Sequence, residues 1–262
     1  MQPGRVRQAI ADGRTAVTGW VSGDSPYLAE TLSHCGYDAV TVDLQHGMFG
    51  LDTALRLLQA VSAGPADPFA RPPALDAAVI GKLLDAGAAG IVCPAVDTPA
   101  LARDLVAACR YPPAGGRSYG PARAGLRGGP GYAAAADGAV SVWAMIESRE
   151  ALDAVDAIAA VPGLDGLYVG PNDLALALGS PPGRTPPPPE VERAWERVLA
   201  AAHGHGIAAG SFCPDAATAA RLARLGYDLV TPGNDAMLLR AAAVAAVAAV
   251  RGGAPGAEPG GY

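Results

Sequence analysis

The chain has 262 residues, half of them apolar and 17% charged, with a formal net charge of −6. That length suits one (β/α)8 barrel and is enough to bury a sizeable core. The mild acidity argues against nucleic acid or anionic membrane as the main partner, since both demand basic stripes. Residues 1–7 lead into a polar, alanine-containing helix and not into the apolar core of a secretory signal. The longest apolar stretch, residues 241–250, is bounded by Arg240 and Arg251 and is too short to span a bilayer. Four cysteines (Cys35, Cys93, Cys109 and Cys213) are widely spaced with no CxxC pair. They read as buried small hydrophobes in a reducing cytoplasm, so a cytoplasmic enzyme is expected.

In chain order, short β-rich runs are predicted at residues 17–22, 39–44, 69–71, 90–95, 142–147, 166–169, 208–212 and 229–231. Helical periodicity falls between most of them, at residues 76–86, 99–110, 151–160, 191–203 and 216–225. Gly36, Gly87, Gly206 and Gly226 stand where left-handed helix ends are expected. Eight strands, apolar on both faces and each followed by a helix, predict a closed parallel barrel. An open doubly wound sheet is the alternative, but no GxGxxG turn follows the first strand. A single domain over residues 1–251 is expected, with 252–262 as a disordered tail. Residues 111–138 form a long Gly/Pro/Arg-rich connection, expected to be a functional or intersubunit loop. The proline-dense residues 181–189 follow the sixth strand and are expected to border a substrate.

Neighbouring parallel strands lie about 4.8 Å apart, so acidic residues ending two of them can close on one cation. Glu147 and Asp173 end two such apolar runs. Two hard oxygen ligands with open positions suit Mg²⁺, Mn²⁺ or Co²⁺. The structural alternative is that each carboxylate only caps the helix that follows it. A third run delivers Asp43 and His46 to the same end. A neutral imidazole near pH 7 can shuttle a proton, with Asp43 to orient or charge it; a satisfied structural histidine is the alternative. Arg71 ends a fourth run, either as a fixed cation for developing negative charge or as an ion-pairing barrel arginine. Gly170-Pro171-Asn172-Asp173 opens a helix, so the amides of Asn172 and Asp173 could receive a substrate carboxylate. Asp97, before Thr98 and Pro99, fits an N-cap; Asp97 and Asp235 are both read as structural, and Ser148 as outside the metal's direct ligands. His34, His203 and His205 have no comparable context.

Six motifs fall in one order: Asp43-Leu-Gln-His46-Gly, Arg71-Pro, Pro94-Ala-Val-Asp-Thr98, Arg110-Tyr-Pro-Pro, Ile146-Glu147-Ser and Gly170-Pro-Asn-Asp173-Leu. Each is weak alone; together they resemble the HpcH/HpaI aldolase family, class II metal-dependent pyruvate aldolases such as 4-hydroxy-2-oxoheptanedioate aldolase. The resemblance covers roughly residues 15–240. It implies a (β/α)8 barrel with an additional C-terminal helix exchanged between subunits of a homo-oligomer, a hexamer or trimer of dimers. It implies Glu147 and Asp173 as metal ligands, His46 as the catalytic histidine, and Arg71 on the keto oxygen that becomes the enolate oxygen. Gly170, Pro171 and Asn172 would then join Arg71 and Asp173 around the substrate. The implied activity is cleavage or formation of a 4-hydroxy-2-oxo acid through a pyruvate-type enolate, with a small 2-oxo acid and an aldehyde as partners.

Two departures bear on the substrate. Gln45 stands where the heptanedioate aldolases carry an acidic residue, and Met145 replaces a polar glutamine. Both change the pocket's polarity and leave the heptanedioate substrate open. A lyase acting on a CoA thioester or decarboxylating oxaloacetate is one alternative, with Arg117, Arg123 and Arg127 as a thin basic strip for the nucleotide. A non-catalytic barrel serving as a binding or assembly subunit is another. Lys82 is the only lysine and falls mid-helix, which disfavours a Schiff-base mechanism. Residues 237–250 are too apolar to stand alone in water, so they are expected to pack on a neighbouring subunit. The 111–138 connection is expected to approach a neighbour's active site.

Overall fold

A computed structural model describes residues 4–252 of the chain. Eight parallel strands close into a barrel in sequence order. They are β1 (Ala16–Val21), β2 (Ala39–Asp43), β3 (Asp67–Arg71), β4 (Gly90–Cys93), β5 (Ser141–Ile146), β6 (Gly166–Val169), β7 (Ala208–Cys213) and β8 (Leu229–Pro232). β8 pairs back onto β1 through Ala16 and Val17, so no strand edge is left open. The barrel is the one the alternation of apolar runs predicts.

Alternation along each strand divides the core in two. On β5, Val142, Ala144 and Ile146 join the cluster between barrel and helices. Trp143 and Met145 face inward, with Trp20, Phe69, Val92, Tyr168 and Leu229 from other strands. The helix Arg5–Ala11 closes the N-terminal end of the barrel with Val6 and Ala9. The interior is crowded, and β6 and β7 make room with glycine. A Cβ on Gly166 would collide with the Trp143 ring and lie 2.8 Å from the Ala208 carbonyl oxygen. Gly166→Ala should therefore cost about 1–3 kcal/mol, measured as a lower denaturation midpoint at unchanged slope.

The helices fall close to their expected places, and Gly36, Gly87, Gly206 and Gly226 all have positive φ. Three differences matter. The helix expected at residues 151–160 is two, Arg149–Asp153 and Val155–Ala159, separated where Ala154 leaves helical geometry at φ −94°, ψ 7°. The connection expected at 111–138 contains the helices Ala122–Gly128 and Tyr132–Ala139. It lies at the N-terminal end of the strands, bound there by Arg117 on Asp85 (2.8 Å) and Arg123 on the Ala86 carbonyl (2.8 Å). Two of the three arginines in the supposed nucleotide strip are thus spent on packing. Arg117 is buried, with its guanidinium 4.5 Å from the Tyr111 ring centroid. Finally, the helix Asp235–Arg251 follows β8 and buries none of its residues in this chain. Gly252 ends it in a left-handed cap, and residues 253–262 of the expected tail lie outside the described residues. Among the described residues, no helix is long and apolar enough to cross a membrane.

Candidate active site

Register brings the first pair together. Asp43 ends β2 and Arg71 ends β3, and the two are direct partners in the ladder. Both side chains point inward, and both are buried. Arg71 Nε donates to Asp43 Oδ1 at 2.8 Å and Nη2 to Oδ2 at 2.6 Å, a bidentate fork. Trp20 Nε1 donates to Oδ2 at 3.1 Å, and the Arg71 guanidinium lies 4.9 Å from the Trp20 ring centroid. Burial opposes the charge on Asp43, yet the Arg71, Trp20 and His46 N–H bonds outweigh it and hold the carboxyl below its usual value.

Asp43 also reaches towards His46, through the turn that carries it. Its Oδ1 accepts the backbone N–H groups of Gln45 (3.0 Å) and His46 (3.3 Å), so it shapes the turn that carries His46. Its charge is matched by Arg71, because the β2–β3 register sets that guanidinium beside it. His46 itself is exposed on the turn after β2. The barrel ion pair expected as the alternative for Arg71 is present, and the same guanidinium also lines the cavity described below.

Glu147 follows β5 directly and, two residues beyond Met145, turns into the barrel mouth with 8% of its surface exposed. Its Oε1 accepts the Ala95 N–H at 2.8 Å, whereas Oε2 is buried without a hydrogen-bond partner. Burial is the main reason its carboxyl is pushed up to about 7; the Ala95 N–H and Arg71 pull it down, while Asp173 and Asp97 push it further up. Ala95 adopts φ 54°, a left-handed conformation costly for any residue with a Cβ. Gly170 leaves room at the opposite wall, where a Cβ would crowd Glu147 Oε2 and lie 3.0 Å from the Glu147 Cβ.

Neither acidic residue is a helix cap. Ser148 caps Arg149–Asp153, its Oγ accepting the Ala151 N–H at 2.9 Å. Gly170 is the N-cap of Pro171–Ala177, with Asp173 in its first turn. The capping alternative fails for both. Thr98, not Asp97, caps Pro99–Cys109, and Asp97 accepts the Ser148 hydroxyl at 2.5 Å. Asp235 accepts the N–H groups of Ser22 and Gly23, each at 3.0 Å, and is structural as expected.

A cavity at this C-terminal end is lined by Arg71, Gly170, Pro171, Asn172 and Asp173, with Trp20, Met145, Tyr168 and Phe212 as apolar walls. Asn172 Oδ1 accepts the Gly183 N–H at 3.0 Å and ties the proline-rich loop to the β6 end. A larger cavity of about 480 Å³ lies at the opposite end, lined in part by Arg7, Asp165, His203 and Asp228. Those charges are already matched, Arg7 with Asp165 at 2.7 Å and His203 with Asp228 at 2.9 Å. Size favours that end, but the chemistry lies at the smaller cavity.

The donor set suits a hard divalent cation. Glu147 Oε2 is an oxygen awaiting a partner, and Asp173 is near enough to perturb its charge. Among the described residues, no three His, Cys, Asp or Glu side chains converge as a cage. Two carboxylates without a cage match the way Mg²⁺ is held, leaving positions for water or substrate. Trp20 and Ala95 were not anticipated. The inward place of Trp20 on β1 was readable from strand alternation, whereas nothing local marks Ala95.

Such a barrel, with acidic and cationic groups gathered at the C-terminal ends of its strands, is an enzyme scaffold with its chemistry in the usual place. The family model for HpcH/HpaI aldolase/citrate lyase matches residues 17–242, and the chain belongs to that family. It is 42% identical to a hydroxypyruvate/pyruvate aldolase of Rhizorhabdus wittichii over 94% of this chain and 98% of the relative. It is 36% identical to a 4-hydroxy-2-oxo-heptane-1,7-dioate aldolase of Salmonella dublin, over 92% of each chain. The crystal structure of an HpcH/HpaI aldolase/citrate lyase family protein from Burkholderia cenocepacia superposes with TM-score 0.88 at 35% identity, covering 95% of this chain and 99% of that one. The chain is accordingly an aldolase-type lyase.

Proposed function

We propose that this chain is a class II pyruvate aldolase that cleaves or forms a 4-hydroxy-2-oxo acid through a pyruvate-type enolate. The observation that carries the reading is the buried, unpartnered Glu147 Oε2 beside Asp173, at the mouth Arg71 shares. Glu147 and Asp173 would hold Mg²⁺, Mn²⁺ or Co²⁺, which when bound supplies Lewis-acid polarisation of the 2-oxo acid. Lys82 is exposed on the helix Ala77–Asp85, so the sole lysine offers no amine to the barrel interior.

In the cleavage direction, His46 removes the proton of the C4 hydroxyl. The C3–C4 bond breaks, the aldehyde leaves, and the electron pair passes to the keto oxygen. Arg71, locked by Asp43 and Trp20, donates to that oxygen as its charge grows and needs no reorganisation to do so. Proton return to C3 gives the 2-oxo acid. Gly170, Pro171 and Asn172 would border the substrate carboxylate, with the Asn172 and Asp173 amides free of i−4 partners. The name of the Rhizorhabdus relative supports pyruvate and hydroxypyruvate as the donors to try first. With added Mn²⁺, the methyl signal of pyruvate should disappear in D₂O by proton NMR. A metal-loaded enzyme that neither exchanges pyruvate protons nor releases pyruvate from any 4-hydroxy-2-oxo acid would overturn the assignment.

The same reading includes a homo-oligomer, a hexamer or trimer of dimers. Leu239, Val247 and Val250 on the helix Asp235–Arg251 are 65%, 48% and 89% exposed, which supports its packing on a neighbouring subunit. Light scattering should give a multiple of the 26.1 kDa chain mass. A stable, active monomer at micromolar concentration would rule this out.

A further inference from the structure

The ends of β4 and β5 are joined by two bonds that the proposed mechanism does not use. Cys93 and Ala144 are ladder partners, so the two strands leave the barrel side by side. Beyond that point the Ala95 N–H reaches Glu147 Oε1 at 2.8 Å. The Ser148 hydroxyl reaches Asp97 Oδ1 at 2.5 Å, a short charge-assisted bond. The Ser148 oxygen is already the acceptor for the Ala151 N–H, which leaves its proton directed at Asp97.

We propose that Asp97 and Ser148 are positioning residues for the cation site, a strut that keeps the β5 end seated against the β4 turn. This rests on the reading of Glu147 and Asp173 as the ligands. Glu147 carries three side-chain torsions, and its Oε1 is held by a hydrogen bond from the strained Ala95. The strut fixes the residue next to Glu147 in the chain, so Oε1 stays on the Ala95 N–H and Oε2 stays turned to the site. Without it, binding a cation would have to order the loop as well. Asp97 adds a second effect. Held by Ser148, the residue next to Glu147, its negative charge favours a bound cation.

The two effects can be separated in the full-length, metal-stripped protein by titrating Mn²⁺ and reading the free-ion signal by electron paramagnetic resonance. Ser148→Gly removes the hydroxyl while glycine remains an acceptable N-cap. It should weaken Mn²⁺ binding about 10- to 100-fold, whereas Ser148→Thr should stay within about twofold of wild type. Asp97→Asn keeps an acceptor for Ser148 but loses the charge, and should weaken binding by roughly three- to tenfold. Glu147→Gln is the control. If it loses Mn²⁺ while Ser148→Gly and Asp97→Asn bind as wild type, the positioning role is wrong. If Glu147→Gln binds as wild type, the cation site itself is misplaced. A uniform loss in Ser148→Gly and Ser148→Thr would overturn the strut, since the threonine keeps the donor.

Discussion

Stripping divalent cations should abolish both aldol turnover and pyruvate proton exchange, and Mg²⁺, Mn²⁺ or Co²⁺ should restore them. Glu147→Gln and Asp173→Asn should lose both activities beyond rescue while the barrel stays folded. The thermal signature is more specific. Burial lifts the Glu147 carboxyl from its ordinary 4.5 to about 7. Between those values the folded chain holds a proton that the unfolded chain has released. Metal-free stability from this group is therefore present at low pH and falls as pH rises from 4.5 through about 7. The shift amounts to roughly 3 kcal/mol at full effect. A bound cation replaces the proton and removes that penalty. Added Mn²⁺ should thus raise Tm more at pH 8 than at pH 5.5. Glu147→Gln should raise the metal-free Tm at pH 8 and abolish the response to Mn²⁺. An equal Mn²⁺ response at both pH values, or full activity in chelator, would remove Glu147 from the ligand set.

The carboxylates of that experiment were legible because strand ends are local events. An apolar run closing on Glu147 or on Gly170-Pro171-Asn172-Asp173 announces where a strand stops and which end of the barrel follows. The partner of Asp43 was not legible in the same way. Sequence proximity points to His46, three residues on, whereas the β2–β3 register joins Asp43 to a guanidinium 28 residues away. Register depends on how two strands twist together, and no window along one strand contains it. Ala95 is a further case. Alanine disfavours positive φ, so composition gives no sign of the turn that sends the Ala95 N–H to Glu147. In residues 111–138, glycine and proline concealed two helices whose formation depends on tertiary contacts such as the buried Arg117. At Asp97-Thr98-Pro99, either of the first two residues suits an N-cap. The cap falls on Thr98, and Asp97 is left for Ser148.

Variants at Arg71, Asp43 and His46 should then separate into two groups, and the division follows the ion pair and not the sequence spacing. Arg71→Lys replaces a planar fork with a point charge and breaks the bidentate contact. Turnover and pyruvate proton exchange should fall together, by about 10²–10³, because both pass through charge on the keto oxygen. Asp43→Asn should behave like Arg71→Lys, since the carboxylate aims and neutralises that guanidinium. It should also cost about 3–5 kcal/mol of stability, the penalty of leaving a buried charge unmatched. His46→Ala belongs to the other group. Exposed at the mouth, it should lower turnover by about 10²–10⁴ with stability, Mn²⁺ affinity and pyruvate binding unchanged. The cross-comparison decides the roles. If Asp43→Asn keeps its stability and shares the losses of His46→Ala, the carboxylate serves the histidine and the pairing with Arg71 is incidental. If His46→Ala loses Mn²⁺ as fully as Glu147→Gln does, His46 is a ligand, and another group must carry the proton.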